Sequence, residues 1–370
     1  MSGPEPFEIS ISNQVIDDLR ERLARTRWAE QPDEGWGLGV DAGYLRELCG
    51  YWADGYEHGR LPALINRFSN YRWRGLHLIH EQAAGDGLPL LLLHGWPGGP
   101  IEYLDLIPRL TRAGHEVAVP SMPGYAWSDD PGAPLNIAAV AARFRDLAEQ
   151  GLGWERYGVV GGDWGAPVAA RIAIDSPQRV AALAVFTPGT LPPSAQLEEP
   201  PLSEAEQAFI EEGLRWRRRE GHHMLIQSTV PDIVSVGLND SPAGLAAYLT
   251  EKYRRWSDCG DDLETRFSKD QLCDYLTMYW ATGTIASSMR LYWGERAERW
   301  WPAPGESIDV PAAVAVFPAE IINPPREWTA RLLTDLRRWT EMPRGGHFAA
   351  HEEPQLLADD VLGFLRSLSG

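Results

Sequence analysis

Hydrophobic and polar positions alternate along this chain in two different ways. Short runs that are almost wholly apolar, as in buried parallel strands, are separated by longer stretches with apolar residues at helical spacing. The apolar runs are residues 88–96, 115–122, 157–161, 180–188 and 311–318. Residues 100–114 and 136–152 carry the helical spacing. Strands that alternate with helices in this way predict an α/β fold with a mostly parallel central sheet.

Two regions interrupt the alternation. The first begins with a helix capped by Ser12 or Asn13, followed by a second helix over residues 41–56 and an extended stretch over 71–82. The apolar face predicted for the first helix consists of Val15, Leu19, Leu23 and Trp28. The second region, residues 187–305, opens with a proline-rich linker and is charged, aromatic and helical. Helices inserted here predict a lid over the carboxyl ends of the strands, where α/β proteins bind ligands.

The chain therefore divides into four predicted parts. At 370 residues it is long for one simple domain and fits a large α/β domain with an insertion. The predicted boundaries are 1–82 for an N-terminal segment, 83–186 for the first part of the core, 187–305 for the lid and 306–370 for the second part of the core.

Charge and cysteine content narrow the classes of ligand. The formal net charge of -18 repels nucleic-acid phosphates and anionic lipids. The sequence contains neither a signal peptide nor an apolar run of about 18 residues. Its three cysteines, Cys49, Cys259 and Cys273, are too widely spaced for a disulfide framework or a zinc site. We expect a cytoplasmic protein that binds a small, largely apolar molecule, without nucleic acid, membrane or metal; a homodimer is left open.

The segment YGVVGGDWGAPVAARIA, residues 157–173, contains a strand, a Gly-x-Asp-x-Gly turn and the start of a helix. In many hydrolases such a turn exposes a serine nucleophile above the sheet. Here Asp163 takes that position, and Gly161 and Gly165 permit the sharp turn. Because aspartate is also a common helix N-cap, this motif alone leaves both catalysis and capping open.

The end of the apolar run 88–96 is the second candidate element. There LLLHGWPGG resembles the turn from which hydrolases donate a backbone N–H to an oxyanion, together with the N–H after the nucleophile. By that geometry the two donors are the amides of Trp96 and Trp164. An ordinary Gly/Pro turn is the alternative interpretation.

A base and an acid follow in the order that this fold uses, which is nucleophile, acid, histidine. His347 lies in a glycine-rich turn before the last helix, and Glu320 comes just after the strand at 311–318. The competing base is His351, and the competing acids are Asp309 and Asp335. His347 is preferred because its flanking glycines let the loop bring the imidazole close to the Asp163 turn.

A carboxylate nucleophile suits attack on an sp3 carbon. The product is an ester that a histidine-activated water can hydrolyse, whereas serine would leave an ether. Asp163 is ionised near pH 7 and needs no base for its attack, so His347 is free to activate water, with Glu320 orienting the imidazole.

Together these motifs make the chain resemble the microsomal-type epoxide hydrolases over nearly its whole length. The segments that carry the resemblance are FEISISNQVIDDLRERLARTRW, HGWPGG, GGDWG, GLNDSPAGLAAYLTEKYRRWSD, YWATGTIASSMRLYWGE, FPAEI and PRGGHFAAHEEP. The resemblance implies an α/β-hydrolase fold with an inserted helical lid and an N-terminal meander, no cofactor, and conversion of an apolar or aryl epoxide and water to a vicinal diol. It also implies that Tyr292 donates a proton to the epoxide oxygen.

Relatives carry a second lid tyrosine at the position of His223 in GHHMLIQST. His223 either donates a proton in its place, shapes the pocket, or lies at the surface if the register shifts to His222. Met224 beside it favours attack on a different epoxide carbon or a bulkier substrate. The biological role is either detoxification or a biosynthetic step on an enediyne-like epoxide.

Two other functions fit part of these motifs. A haloalkane dehalogenase uses the same aspartate, histidine and acid, with the Trp164 indole N–H binding the halide, but it needs no proton from Tyr292. The other is a ligand-binding protein without catalysis, which has no physical need for a nucleophile, base, acid and oxyanion turn together.

Overall fold

Nine strands form one sheet within residues 3–30, 35–194 and 201–368, the parts of the chain that the computed structural model describes. The strands are β1 (Glu5–Pro6), β2 (Asn70–Trp73), β3 (Leu76–Glu81), β4 (Gly87–Leu93), β5 (His115–Pro120), β6 (Tyr157–Gly161), β7 (Val180–Val185), β8 (Ala312–Val316) and β9 (Leu336–Glu341). Their order is β1-β2-β3-β5-β4-β6-β7-β8-β9. Pairing is antiparallel from β1 to β5 and parallel from β5 to β9, which confirms the predicted mostly parallel sheet.

The helices lie before, between and after these strands. The α-helices are α1 (Asn13–Ala24), α2 (Ala42–Gly50), α3 (Arg60–Ile65), α4 (Ile107–Arg112), α5 (Ile137–Asp146), α6 (Gly165–Asp175), α7 (Glu204–Arg219), α8 (His222–Thr229), α9 (Pro231–Asp240), α10 (Pro242–Trp256), α11 (Lys269–Thr282), α12 (Ile285–Ala297), α13 (Arg326–Ala330), α14 (Ala349–Glu352) and α15 (Pro354–Leu368). Short π-helical turns extend α2 (Tyr51–Gly55) and α5 (Leu147–Gly151), and 3-10 turns cover Pro100–Tyr103, Pro188–Thr190 and Leu263–Thr265.

The predicted lid region forms helices α7 to α12, between β7 and β8. Residues 195–200 of the predicted proline-rich linker lie outside the described residues. None of the helices within the described ranges combines the length and the apolar character needed to cross a bilayer.

The parallel strands are buried, as their apolar sequences predict. In β4, the four leucines from Leu90 to Leu93 are each at most 1% exposed. Strands covered on both faces have no solvated side and therefore show apolar runs rather than alternation.

The first helix differs in detail from its predicted pattern. Ser12 is the N-cap, since its side chain accepts a hydrogen bond from the Val15 amide. The buried face contains Ile16 rather than Val15, because residue 16 has the i, i+3, i+7 spacing with Leu19 and Leu23. The helix ends at Ala24, so Trp28 lies beyond it and is 40% exposed.

The single helix predicted over 100–114 is also wrong. The segment forms a 3-10 turn, Pro100–Tyr103, and then the separate helix α4 from Ile107. Pro108 lacks an N–H and lies in the first turn of α4, the helical position that tolerates proline best.

The extended stretch 71–82 is a hairpin, and two strands, β1 and β9, were not predicted. Arg74 and Gly75 both have positive φ, 46° and 79°, which suits the two-residue turn between β2 and β3. Strand β9 has the sequence LRRWTE and is mostly half-buried at the sheet edge, so it lacks the apolar run of the central strands.

The N-terminal segment is attached to the lid through buried polar contacts on α11. The Tyr56 hydroxyl donates to Asp274 Oδ1 at 2.7 Å, and Arg60 Nε donates to the other carboxylate oxygen at 3.1 Å. Trp52 Nε1 donates to Thr277 Oγ1 at 2.8 Å. Buried polar groups that are fully paired fix the orientation of packed elements, so α11 is held in one position.

We expect Asp274→Ala to lower the free energy of unfolding by about 3 kcal/mol, because it leaves the Tyr56 hydroxyl and the Arg60 guanidinium without their partner. Tyr56→Phe should cost about 1–2 kcal/mol. The control is Tyr51→Phe, which removes a less buried hydroxyl that donates to Asp270 and should cost less than about 1 kcal/mol. Urea unfolding measures all three, and equal losses would show that these buried contacts do not secure the segment.

Candidate active site

Asp163 lies in the sharp turn between β6 and α6. Its backbone has φ of +48°, a left-handed conformation that few non-glycine residues adopt. A Cβ on Gly161 would lie 2.3 Å from the carbonyl oxygen of Gly165, so the turn requires glycine where these two residues meet. The Asp163 carboxylate therefore projects from the carboxyl end of β6, where the predicted elbow places it.

One oxygen of this carboxylate accepts a backbone hydrogen bond from the second predicted turn. The Trp96 amide donates to Asp163 Oδ1 at 2.8 Å. This approach needs a glycine at 95, since a Cβ there would lie 2.1 Å from the same oxygen. Trp164, which follows Asp163, is the N-cap residue of α6, so its amide lies at the N-terminal end of that helix.

The other oxygen faces His347. His347 Nε2 lies 3.3 Å from Asp163 Oδ2, and Nδ1 lies 2.8 Å from Glu320 Oε1. The side chains of His347 and Glu320 are only 2% and 3% exposed. Burial lowers the pKa of His347, but the two carboxylates outweigh it and raise that pKa well above 6.5. The two flanking acids thus favour the charged form of the His347 imidazole.

The competing base and acids lie elsewhere and have other partners. His351 stacks on Phe267 with ring centroids 4.5 Å apart. Asp309 accepts from the Ser307 and Thr334 hydroxyls, and Asp335 pairs with Arg337 at 2.8 Å. Of the candidate acids, the fold brings Glu320 to His347.

Tyr292, on α12, is buried above the Asp163 turn. Its ring lies 4.8 Å from the Trp164 ring at 88° and 5.9 Å from the Trp96 ring. Burial raises the pKa of Tyr292 well above 10, and the negative charge of Asp163 adds to the effect. The phenol is therefore protonated at neutral pH.

His223 lies in the same aromatic cluster, whereas His222 is exposed. The His223 ring stacks on Trp96 with an interplanar angle of 7° and lies 6.0 Å from Tyr292. Burial lowers the pKa of His223 well below 6.5, and the nearby Lys252 ammonium lowers it further. The structure therefore places the buried His223 ring in the site and His222 at the surface, which contradicts the alternative that the matching histidine lies at the surface.

A cavity of about 390 Å³ opens from these residues, with Asp163, His347, Tyr292 and His223 in its wall. Its remaining wall is largely apolar and aromatic, and includes Phe209, Leu214, Trp216, Met224, Trp300 and Trp328. This is the size and character of a small-molecule site. Met224, next to His223 in the sequence, thus lines this cavity.

Two residues of α10 next to the site, Trp256 and Lys252, were not predicted from the sequence. The Trp256 ring lies 5.2 Å from the His347 ring and 4.9 Å from the His223 ring, between centroids. The backbone carbonyl of Trp256 accepts a hydrogen bond from the His347 amide at 2.8 Å. Lys252 is 1% exposed and lies 2.8 Å from His222 Nε2. Their positions one turn apart on a single helix give no signal for contacts with the start of α8 and with the loop before α14, some 30 and 90 positions away.

Comparison with known proteins gives a consistent result. Residues 4–103 match the family described as epoxide hydrolase N terminus, and residues 89–219 match the alpha/beta hydrolase fold. The chain is 32% identical to epoxide hydrolase 1 of Sus scrofa over 97% of its length and 88% of that protein. It is 34% identical to juvenile hormone epoxide hydrolase of Bombyx mori, over 97% and 85%.

The crystal structure of juvenile hormone epoxide hydrolase from Bombyx mori superposes on this chain with a TM-score of 0.86 at 31% identity, and the match covers 100% of this chain and 95% of that one. An Aspergillus niger epoxide hydrolase structure has the same fold, with a TM-score of 0.85 at 24% identity.

We expect His347 to remain an imidazolium as the pH rises through 6.5, because two carboxylates favour its charged form. Histidine-selective ¹⁵N NMR from about pH 5.5 to about 8.5 tests this range, in which an unperturbed histidine titrates. Glu320→Gln removes one carboxylate and should lower the pKa. His347→Gln assigns the signal, and a wild-type His347 that titrates at or below its ordinary pKa would contradict the expectation.

Proposed function

The chain belongs to the microsomal-type epoxide hydrolases, and we propose that it opens a bulky apolar or aryl epoxide to a vicinal diol through an ester on Asp163. The observation that carries the proposal is the position of Asp163, with one oxygen on the Trp96 amide and the other 3.3 Å from His347 at the cavity wall. A nucleophile, a base and an oxyanion donor thus converge on one carboxyl group.

In the first step an Asp163 oxygen attacks an epoxide carbon. The carbon–oxygen bond of the ring breaks, and its electron pair goes to the epoxide oxygen. Tyr292 transfers its hydroxyl proton to that oxygen, which leaves a hydroxyalkyl ester on Asp163 and a phenolate on Tyr292. The phenolate takes up the proton that His347 carries in the resting site.

Ester formation itself prepares His347 for the second step. The imidazole is charged in the resting site because Asp163 and Glu320 both raise its pKa. The ester is neutral, so one of these two carboxylates loses its charge when the first step is complete. The pKa of His347 then falls, and the neutral imidazole becomes a base.

In the second step His347 takes a proton from water, and the hydroxide adds to the ester carbonyl of Asp163. Negative charge develops on the carboxyl oxygen, where the Trp96 N–H donates, and the Trp164 amide is the second proposed donor. Glu320 stabilises the imidazolium. The tetrahedral intermediate then breaks its bond to the diol oxygen. That oxygen takes the proton of the added hydroxyl group, and Asp163 returns to a carboxylate.

His223 assists Tyr292 in this proposal but does not supply the proton. Its burial keeps the imidazole neutral at the pH of catalysis, and a neutral imidazole N–H is a weaker acid than a phenol. In its place it donates a hydrogen bond to the epoxide oxygen. The centroid of the His223 ring lies 6.0 Å from the centroid of the Tyr292 ring. The second electrophilic group of the site is thus a hydrogen-bond donor alone.

The size of the cavity defines the substrate class of the proposal. A cavity of about 390 Å³ with a largely apolar and aromatic wall fits an epoxide that carries more than one ring. The proposed role is either biosynthesis of an enediyne-like compound or detoxification. Turnover of bulky aryl epoxides should exceed that of styrene oxide, and haloalkanes serve as the comparison for dehalogenase activity.

Single turnover in ¹⁸O-water, with enzyme in excess, tests the ester mechanism. We expect the label in the Asp163 peptide and not in the first diol, because water adds to the carboxyl carbon of the enzyme. His347→Gln should accumulate the ester on the same peptide, and Asp163→Ala should form no diol. Label in the first diol alone would mean that water attacks the epoxide directly.

Tyr292 and His223 should contribute unequally to the rate of ester formation. Tyr292→Phe removes the proton donor and should slow ester formation on the order of 10²-fold or more, the usual range for a general acid. His223→Phe should slow it less. Stopped-flow fluorescence of the surrounding tryptophans follows ester formation, and equal, near-total losses would show that His223 also transfers a proton.

A further inference from the structure

The turn that carries the Trp96 amide is held by the lid as well as by the core. The Tyr253 hydroxyl, on α10, donates to the carbonyl oxygen of Pro97 at 2.8 Å. The Tyr279 hydroxyl, on α11, donates to the carbonyl oxygen of Gly98 at 3.0 Å. Two lid helices thus each bind one of the two peptide carbonyls that follow Trp96.

Other backbone groups of this turn also have partners. The Gly98 amide donates to the Gly95 carbonyl at 3.0 Å and closes the turn. The Gly99 amide donates to Glu102 Oε1 at 3.3 Å. Among the described residues, the carbonyl oxygens of Pro97 and Gly98 have the two lid tyrosines as their hydrogen-bond partners, so loss of either hydroxyl removes the partner of a buried carbonyl.

Neither phenol has another role in the proposed reaction. Tyr253 and Tyr279 are 0% and 1% exposed, and neither lines the cavity. Burial raises the pKa of both well above 10, so each hydroxyl stays protonated and keeps donating. Their contacts are therefore permanent parts of the turn and not parts of the substrate site.

We propose that Tyr253 and Tyr279 are positioning residues, which hold the turn so that the Trp96 N–H stays aligned with the carboxyl oxygen of Asp163. This inference rests on the proposed ester mechanism. It makes α10 and α11 part of the oxyanion site, in addition to covering the pocket.

The two half-reactions should respond differently to misalignment of this N–H. In ester formation the carboxylate loses negative charge, so a hydrogen bond to it stabilises the starting state more than the transition state. In ester hydrolysis the carbonyl oxygen gains negative charge, and the same hydrogen bond stabilises the transition state. A displaced Trp96 amide should therefore slow hydrolysis and leave ester formation unchanged or slightly faster.

We expect Tyr279→Phe to slow ester hydrolysis on the order of 10-fold, below the ~10²–10³ that complete loss of an oxyanion donor costs. Tyr253→Phe should act in the same way and gives an independent test. When hydrolysis limits turnover, kcat and KM should fall together and kcat/KM should stay constant. Loss of overall structure would instead lower kcat/KM.

Tyr275→Phe is the matched control. Tyr275 lies on α11, as Tyr279 does, and is also 1% exposed. Its hydroxyl contacts His351 Nδ1 at 3.2 Å, away from the turn. Single-turnover kinetics with styrene oxide and a bulkier aryl epoxide resolve ester formation from hydrolysis, and thermal melting measures the stability of each variant.

Slower hydrolysis in Tyr279→Phe and Tyr253→Phe, with ester formation retained and with Tyr275→Phe at the wild-type rate, supports the inference. Equal rates of hydrolysis in Tyr279→Phe and Tyr275→Phe, while the wild type forms the ester normally, overturn it alone. If neither the wild type nor His347→Gln forms an ester, the proposed function fails first, and the inference fails with it.

Discussion

The site depends on one backbone constraint, the left-handed conformation of Asp163. Such a conformation costs on the order of 1–3 kcal/mol for a residue with a Cβ and persists only where neighbours hold it. Here the Thr187 hydroxyl accepts a hydrogen bond from the Asp163 amide. The Thr190 hydroxyl donates one to the Asp163 carbonyl oxygen at 3.0 Å. Both threonines follow β7, so the neighbouring strand fixes the peptide groups that aim the carboxylate at Trp96 and His347.

Around this residue, core and lid share one aromatic cluster. Trp96 belongs to the turn after β4, yet its ring contacts His223, Tyr292 and Trp256 from three different lid helices. The residue whose amide donates to Asp163 therefore also packs against His223 and Tyr292, which face the epoxide oxygen in the proposed reaction. A change in the packing of the lid would then act on both halves of that proposed reaction.

Much of the fold and the order of the site residues could be predicted, because they depend on local signals. Apolar runs mark the buried strands, and glycines on either side of Asp163 mark the sharp turn. Glu320 is preferred because it comes just after the strand at 311–318, and the loop after β8 brings it to His347. The polar edge strand β9, the break before Pro108 and the burial of His223 depend on packing between distant segments, for which the local pattern has no signal.

The contacts between the N-terminal segment and α11 have a consequence for the order of folding. Tyr56 and Asp274 are 218 residues apart, and Trp52 and Thr277 are 225 apart. At roughly 5–20 residues per second, a ribosome needs about 10 to 50 s to make the chain between them. During that time Trp52, which is fully buried in the folded protein, has no partner on α11. The segment with Trp52 and Tyr56 is made before α11 and reaches these contacts only after α11 is made, and its aromatic side chains stay available to chaperones or to other nascent chains until then.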